Sequence, residues 1–164
     1  MTVERAAAVR RHTVRRAGEG RTIAVVGDVY RFLATGDETD GKFAMFEAFV
    51  PPGGGPPPHV HSREEEAFYI LEGTVTFRVG DAVIRAEAGT HVTLPVGVPH
   101  GFANETHARA RMLITMAPAG LEEMFFEVSR PVPEETTTTE PPTPEEIGML
   151  LAAAPRYGIT ILGP

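Results

Sequence analysis

Residues 52–73 read PGGGPPPHVHSREEEAFYILEG, and the fold of the chain is decided in this stretch. A glycine- and proline-rich approach leads to two histidines one residue apart, three glutamates and an apolar run that ends at a glycine. Side chains alternate between the faces of a strand, so His59 and His61 point the same way, about 6–7 Å apart along it. Two imidazoles at that spacing can converge on one metal ion. Such a pair alone also occurs on solvent-facing strands, so further ligands are needed to indicate a metal site.

The apolar run after the glutamates reads as a strand. Strand parity places Glu66 on the same face as Phe68 and Ile70, and the opposite face is also largely apolar. A strand that is apolar on both faces is typical of a sheet covered on both sides. We therefore expect this strand to lie in a sandwich that has a further covering layer.

Length and composition restrict the class of protein. The 164 residues suit one domain, and the absence of cysteine excludes disulfides, thiolate metal sites and cysteine nucleophiles. A net charge of -7 argues against nucleic-acid binding, which needs basic patches. No apolar run approaches the length of a membrane span, and the N-terminus lacks the apolar segment of a secretory signal. We expect a cytoplasmic protein that binds neither nucleic acid nor membrane.

The organisation along the chain changes after the first two thirds. Short strand-like segments separated by turn residues fill the middle of the chain, the pattern of a β-sandwich or barrel. Beyond it come a helical spacing of apolar residues, a Pro/Thr-rich stretch over 131–144, and a second helix with Thr143 as N-cap and Glu146 completing a capping box. We expect an N-terminal arm (1–20), a β-barrel (21–117) and a helical extension (118–164) with a flexible or extended linker.

A second motif completes the first. Residues 89–104 read GTHVTLPVGVPHGFAN, with spaced positions at Gly89, Pro95, Gly97, His100 and Asn104. Together with the first stretch, this order resembles the two motifs of the cupin superfamily. The chain as a whole is similar to the small bacterial cupins grouped with quercetin dioxygenase.

The resemblance implies an all-β fold, a cupin jelly-roll barrel (a double-stranded β-helix) with a short helical C-terminal extension. It also implies one metal ion near the barrel centre. The positions that match its ligands are His59, His61, Glu66 and His100.

The choice among the three glutamates depends on the motif's spacing. Six residues between the glutamate and Gly73, the spacing of the motif, select Glu66, whereas Glu65 fits only a looser form of the motif. We expect Glu64 and Glu65 to be turn residues at the mouth of the site, and the alternative is that one of them supports a ligand from behind.

The metal and the reaction follow from the implied ligand set. Three imidazoles and one carboxylate suit one divalent Fe, Mn, Ni, Co, Cu or Zn ion per chain. Glu66 is then the expected catalytic proton acceptor as well as a ligand. The resemblance implies a dioxygenase acting on an enol or hydroxyl substrate. The alternatives are a non-redox isomerase, lyase or cyclase, and a non-catalytic cupin that binds a small molecule.

The interior that the strands predict is largely apolar, which favours a small apolar or aromatic substrate over a sugar phosphate. The strand over 43–50 supplies this interior in one of two registers. One register turns Phe43, Met45 and Phe49 inward, and the other turns Phe46 and Val50 inward.

Assembly and the role of the extension are the last expectations. Cupins commonly pair through strands, so we expect a homodimer in which residues 22–27 or 28–35 add to the partner's sheet. The helix over 144–158 either caps the barrel mouth or covers the dimer seam, and the sequence leaves both open.

Overall fold

The computed structural model describes residues 12–163 of the chain. The arm expected over residues 1–20 therefore lies mostly outside the described residues. In chain order the strands are β1 (Thr22–Val25), β2 (Asp28–Ala34), β3 (Ala44–Val50), β4 (His59–His61), β5 (Glu65–Glu72), β6 (Thr74–Val79), β7 (Ala82–Glu87), β8 (His91–Leu94), β9 (His100–Ala103), β10 (Ala110–Ala117), β11 (Arg130–Pro131) and β12 (Ile159–Ile161). The helices are α1 (Gly36–Thr39), α2 (Glu122–Val128) and α3 (Pro144–Ala153), followed by a 3₁₀ turn at Ala154–Tyr157. No helix within 12–163 is long and apolar enough to span a bilayer.

Two antiparallel sheets face each other across the core. The larger has the order β11-β1-β2-β3-β10-β5-β8, and the smaller has the order β12-β4-β9-β6-β7. Aromatic and aliphatic side chains from both sheets fill the space between them, including Phe46, Phe68, Phe77 and Met112. The expectation of an all-β jelly roll with short helices is confirmed.

The outer face of β5 differs from the expectation. Phe68 and Ile70 are buried, but Tyr69 on the opposite face is 43% exposed. Among residues 12–163 no further layer covers this part of the larger sheet, and the strand alternates between core and solvent. The prediction of burial on both faces was wrong because tyrosine was counted as apolar. Its hydroxyl group allows the ring to lie at a solvent-exposed position.

The C-terminal extension packs onto the sheets. Leu121, Met124 and Val128 are buried in the core, as the helical spacing predicts. The capping box at the start of α3 is present, with the hydroxyl of Thr143 accepting from the backbone N–H of Glu146 at 3.2 Å. The chain then adds β12 to the smaller sheet, beside β4.

The Pro/Thr-rich stretch is extended and tied to the larger sheet. The guanidinium of Arg31 donates to the carbonyl oxygens of Glu134 and Thr136. The same guanidinium forms a buried ion pair with Glu47 at 3.1 Å. Of the two expectations for this stretch, the extended linker is the one that the structure shows.

The N-terminal strands have no free edge to offer a partner. β2 lies between β1 and β3, and β1 pairs with β11 on its other side. Pairing of one of them with a partner's sheet would need β11 to move aside, and it stays a prediction. The short strand β11, which follows α2, pairs with the outer edge of β1 and was not predicted from the sequence.

Candidate metal centre

Three strands bring the four predicted ligands together. β4 carries His59 and His61, β5 carries Glu66, and β9 begins at His100, which lies opposite His59 in the β4–β9 ladder. All four side chains are buried, and one ligand atom from each lies within 4.8 Å of the others. The parity that placed His59 and His61 on one face therefore directs both rings into the core.

The ligand atoms approach one another closely. The Nε2 atoms of His59 and His61 are 3.0 Å apart. Oε2 of Glu66 lies 3.0 Å from Nε2 of His100 and 3.3 Å from Nε2 of His61. Each of the three rings thus presents the same nitrogen to the centre of the cluster.

The other ring nitrogens fix the tautomers of two rings. Nδ1 of His59 donates to the carbonyl of Pro57, and Nδ1 of His100 donates to the carbonyl of Val98, both at 2.9 Å. A carbonyl oxygen only accepts, so these Nδ1 atoms carry the protons and the Nε2 atoms keep their lone pairs. Lone pairs that converge at this distance need a positive charge between them. The cluster therefore fits a metal ion.

Glu64 holds the third ring from behind. Its carboxylate lies 3.4 Å from Nδ1 of His61, and the residue is 2% exposed. The expectation that Glu64 is a turn residue at the mouth of the site was wrong, whereas Glu65 is exposed as expected. The turn after β4 folds Glu64 back beneath His61, and the spacing of three residues between them was the signal available in the sequence.

Burial and hydrogen bonding set the charges of the cluster. Burial raises the pKa of Glu66, but the imidazoles of His100 and His61 close to its carboxyl outweigh it and lower the pKa to about 2. Burial lowers the pKa of His59 to about 4. Burial also lowers the pKa of His61, but hydrogen bonds to Glu64 and Glu66 outweigh it and raise the pKa to about 9. Glu66 is therefore a carboxylate at neutral pH, as a metal ligand must be.

A cavity of about 110 Å³ adjoins the cluster. His59, His61 and Glu66 form its polar wall, and most of the other lining residues are apolar, among them Phe46, Phe102, Ile114, Met124, Leu150 and Ile159. The strand over 43–50 uses the register that turns Phe46 inward, while Phe43 and Met45 are only half-buried.

The extension supplies part of the cavity wall. Leu150 of α3, Ala154 of the 3₁₀ turn, and Ile159 and Ile161 of β12 all line it. Of the two roles left open by the sequence, the extension thus takes the one over the barrel mouth.

Two cavity residues were missed by the sequence reasoning. Asp28 and Tyr30 of β2 line the same cavity as the ligand cluster. The alternation of β2 was the available signal, because it places an aspartate on the same face as Tyr30 and Phe32.

Comparisons with known proteins agree with this site. Residues 46–116 match the cupin domain family. The chain is 29% identical over 110 residues to quercetin 2,3-dioxygenase of Bacillus subtilis, covering 67% of this chain and 32% of that protein. It is 24% identical over 137 residues to quercetin 2,3-dioxygenase of Aspergillus japonicus, covering 79% of this chain and 39% of that protein. The chain thus spans little more than a third of the length of these relatives.

Solved structures share the fold. One, described as a predicted oxalate decarboxylase from Thermotoga maritima, superposes with a TM-score of 0.60 at 20% identity, over 65% of this chain and 99% of that chain. An RmlC-like cupin from Shewanella frigidimarina superposes with a TM-score of 0.59 at 18% identity, over 69% of this chain and 96% of that chain. Identities this low support the fold alone. With its two motifs, its two-sheet core and the cupin domain matched over residues 46–116, the chain resembles the quercetin dioxygenase-like members of the cupin superfamily.

Proposed function

We propose that this cupin is a metal-dependent dioxygenase-type oxidoreductase that acts on a small, largely apolar or aromatic substrate bearing an enol or hydroxyl group. The observation that carries the proposal is the His59–His61–Glu66–His100 cluster, which opens onto a small apolar cavity. The similarity to two quercetin 2,3-dioxygenases supports the reaction class.

The donor set suits a redox-active ion. Three imidazole nitrogens and one carboxylate oxygen are ligands that divalent Fe, Mn, Ni, Co and Cu accept, as does Zn, and we propose one such ion per chain. When bound, a redox-active ion supplies a Lewis acid and a route for electrons between substrate and dioxygen. A dioxygenase needs no external reductant, because the four electrons that reduce dioxygen come from the substrate.

The chain's own residues bind the substrate and move its proton. Glu66 is a carboxylate at neutral pH because the imidazoles of His61 and His100 lie close to it and lower its pKa, so it can accept the proton of a substrate hydroxyl. The carbonyls of Pro57 and Val98 keep the imidazoles in one tautomer and orientation. The apolar wall excludes water from the reacting group.

The cavity volume restricts the size of the substrate. At about 110 Å³ it is smaller than the roughly 150 Å³ engineered protein cavity that binds benzene. A molecule of about one ring fits, whereas the three-ring skeleton of a flavonol needs the extension to move. We therefore place small enols, diketones and phenols ahead of flavonols as substrates.

Elemental analysis and oxygen uptake test this proposal. Purified, untagged protein is expected to carry about one redox-active metal ion per chain, and His59→Ala is expected to lose it. Oxygen consumption is then measured with β-diketones, catechols and flavonols. Glu66→Gln is expected to abolish uptake and Glu65→Gln to leave it unchanged, because Glu66 contacts the imidazoles of His61 and His100 whereas Glu65 is exposed to solvent. Metal-loaded protein that consumes no oxygen with any of these classes would overturn the proposal.

The alternative is a non-redox isomerase, lyase or cyclase that uses the cluster as a Lewis acid. A second carboxyl in the cavity, that of Asp28, favours it, because isomerisation needs groups that give and take protons at two positions. Conversion of a substrate without oxygen consumption would identify this class.

A further inference from the structure

The inner face of β2 places a second polar group in the cavity. Asp28 and Tyr30 are two residues apart and point to the same side, into the cavity that the ligand cluster also lines. Asp28 is 3% exposed and Tyr30 is 8% exposed. The ring of Tyr30 is fixed between Phe46 and Phe125, whose centroids lie 4.7 and 5.3 Å away.

The carboxyl of Asp28 is only partly satisfied. It forms a hydrogen bond with the Tyr30 hydroxyl, but its buried Oδ1 has no hydrogen-bond partner among residues 12–163. Buried polar atoms are nearly always paired, and an unpaired one in a native protein calls for an explanation. Asp28 lines the cavity, so a donor on a ligand that displaces the packing around this carboxyl would supply the missing partner.

The neighbouring glycine loop leaves this oxygen free. A Cβ atom added to Gly54 would lie 2.8 Å from Oδ1 of Asp28, so only a residue without a side chain fits there unchanged. The loop's N–H groups do not reach the carboxyl, since Gly53 donates to the carbonyl of Asn104 and Gly54 to that of Pro51.

The charge state of Asp28 favours a neutral ligand group. Burial raises the pKa of Asp28 to about 8, against a weaker lowering by the Tyr30 hydrogen bond. The carboxyl is therefore largely protonated and uncharged at pH 7. An uncharged carboxyl exchanges hydrogen bonds with a hydroxyl group, whereas an ammonium group would require a carboxylate.

We propose that Asp28, oriented by Tyr30, is the specificity-determining contact for a hydroxyl group on the ligand. The ligand is then about one ring in size and carries two oxygens, one for the cluster at His59, His61 and Glu66 and one hydroxyl for Asp28. The position of the first oxygen rests on the proposed function, whereas the Asp28 contact does not.

Binding of matched small phenols tests this contact without turnover. The protein is loaded with Zn(II), which is redox-inert, and titrated anaerobically with resorcinol, hydroquinone and their monomethyl ethers. We expect at least one diol to bind about tenfold more tightly than its ether, the value of one good hydrogen bond. Asp28→Leu, of similar volume, is expected to remove that preference, so that each diol and its monomethyl ether bind with equal affinity. Asp28→Asn, which keeps an acceptor oxygen, is expected to retain most of it.

The melting temperature separates a binding role from a structural one. A carboxyl kept for ligand binding lowers stability, so Asp28→Leu is expected to melt at a higher temperature than the native protein. If Asp28→Leu does not fold, Asp28→Ala replaces it, and the same ratio of diol affinity to ether affinity is expected.

Two results would overturn the inference. One is that the native protein binds diol and ether with equal affinity or binds neither. This result is expected if a buried water molecule pairs with Oδ1 of Asp28. The other is a diol preference that survives in Asp28→Leu. A preference that depends on Asp28 in a protein without oxygen uptake would contradict the proposed function alone.

Discussion

At the scale of single residues, the groups behind the imidazoles control the centre as much as the imidazoles do. Pro57 and Val98 act through backbone carbonyls, which no substitution removes, but Glu64 acts through its side chain. A carboxylate behind a ligating histidine fixes the ring and raises its basicity.

Glu64→Gln is expected to weaken metal binding by about 10–100-fold, because the amide is a poorer acceptor for Nδ1 of His61. Glu65→Gln is the matched control, since Glu65 is exposed and adjacent in sequence. Competition with a metal-binding dye measures both affinities. Equal metal affinities in the two variants would show that Glu64 does not support His61 in metal binding.

Asp28 gives the stability of the protein a specific dependence on pH. Its pKa is raised from 3.8 to about 8 on folding, so between these values the folded state binds a proton that the unfolded state has lost. The contribution of this proton is fully present below about pH 4 and is lost as the pH rises through 8. The native protein is thus expected to lose stability relative to Asp28→Asn over that range. Urea denaturation of both proteins at several pH values measures their free energies of unfolding. Free energies that change in parallel with pH would contradict the prediction.

The four ligands were predictable from the sequence for a physical reason. Strand parity places His59 and His61 on one face before the fold is known, whereas Glu66 and His100 were predicted from the resemblance to the cupin motifs. Glu64 contacts His61 because of the turn after β4, and Asp28 faces the loop at Gly54. Turns and loops have no periodicity, so these two contacts could not be predicted from the sequence.

At the scale of elements, the strand β12 holds the ligand strand β4 in place. Ile159 pairs with His61 and Ile161 pairs with His59 across this ladder. The capping box made α3 predictable, but β12 is three residues long, and its pairing with β4 joins segments about a hundred residues apart. Pairings at such separation leave no local signal in the sequence.

Ile159→Ala is expected to lower the free energy of unfolding by about 2–5 kcal/mol, the usual cost of removing a buried isoleucine side chain. It is also expected to weaken metal binding, since Ile159 lines the cavity beside His61. Thr160→Ala is the control on the same strand, because Thr160 is exposed. Chemical denaturation and metal titration of the two variants make the comparison. An Ile159→Ala protein as stable as Thr160→Ala would show that the extension only rests on the barrel.

At the scale of the whole molecule, the free edges of the sheets determine how two copies can meet. The larger sheet ends in the two-residue β11 and the four-residue β8, and the smaller sheet ends in the three-residue β12 and the six-residue β7. Short edge strands protect a protein against pairing with other chains. β7 is the longest of these edges and exposes Val83 and Ile84.

We expect a homodimer that forms through β7. Val83→Lys is then expected to shift the mass measured by sedimentation equilibrium from dimer to monomer at micromolar concentration. Val14→Lys is the matched control, because Val14 is 65% exposed against 67% for Val83 and lies away from this edge. A native protein that sediments as a monomer would contradict the dimer, and a dimer in both variants would place the contact elsewhere.

The pairing of β12 with β4 also sets an order of events during synthesis. Ile159 is translated about sixty residues after His100. At roughly 5–20 residues per second, the three histidines precede the strand that flanks them by about 3–12 seconds. Throughout that delay the ligands exist while the wall over them does not. We expect the nascent chain to accept whichever divalent ion the surroundings then supply, so the metal is selected by its availability at the ribosome before the finished cavity can restrict access.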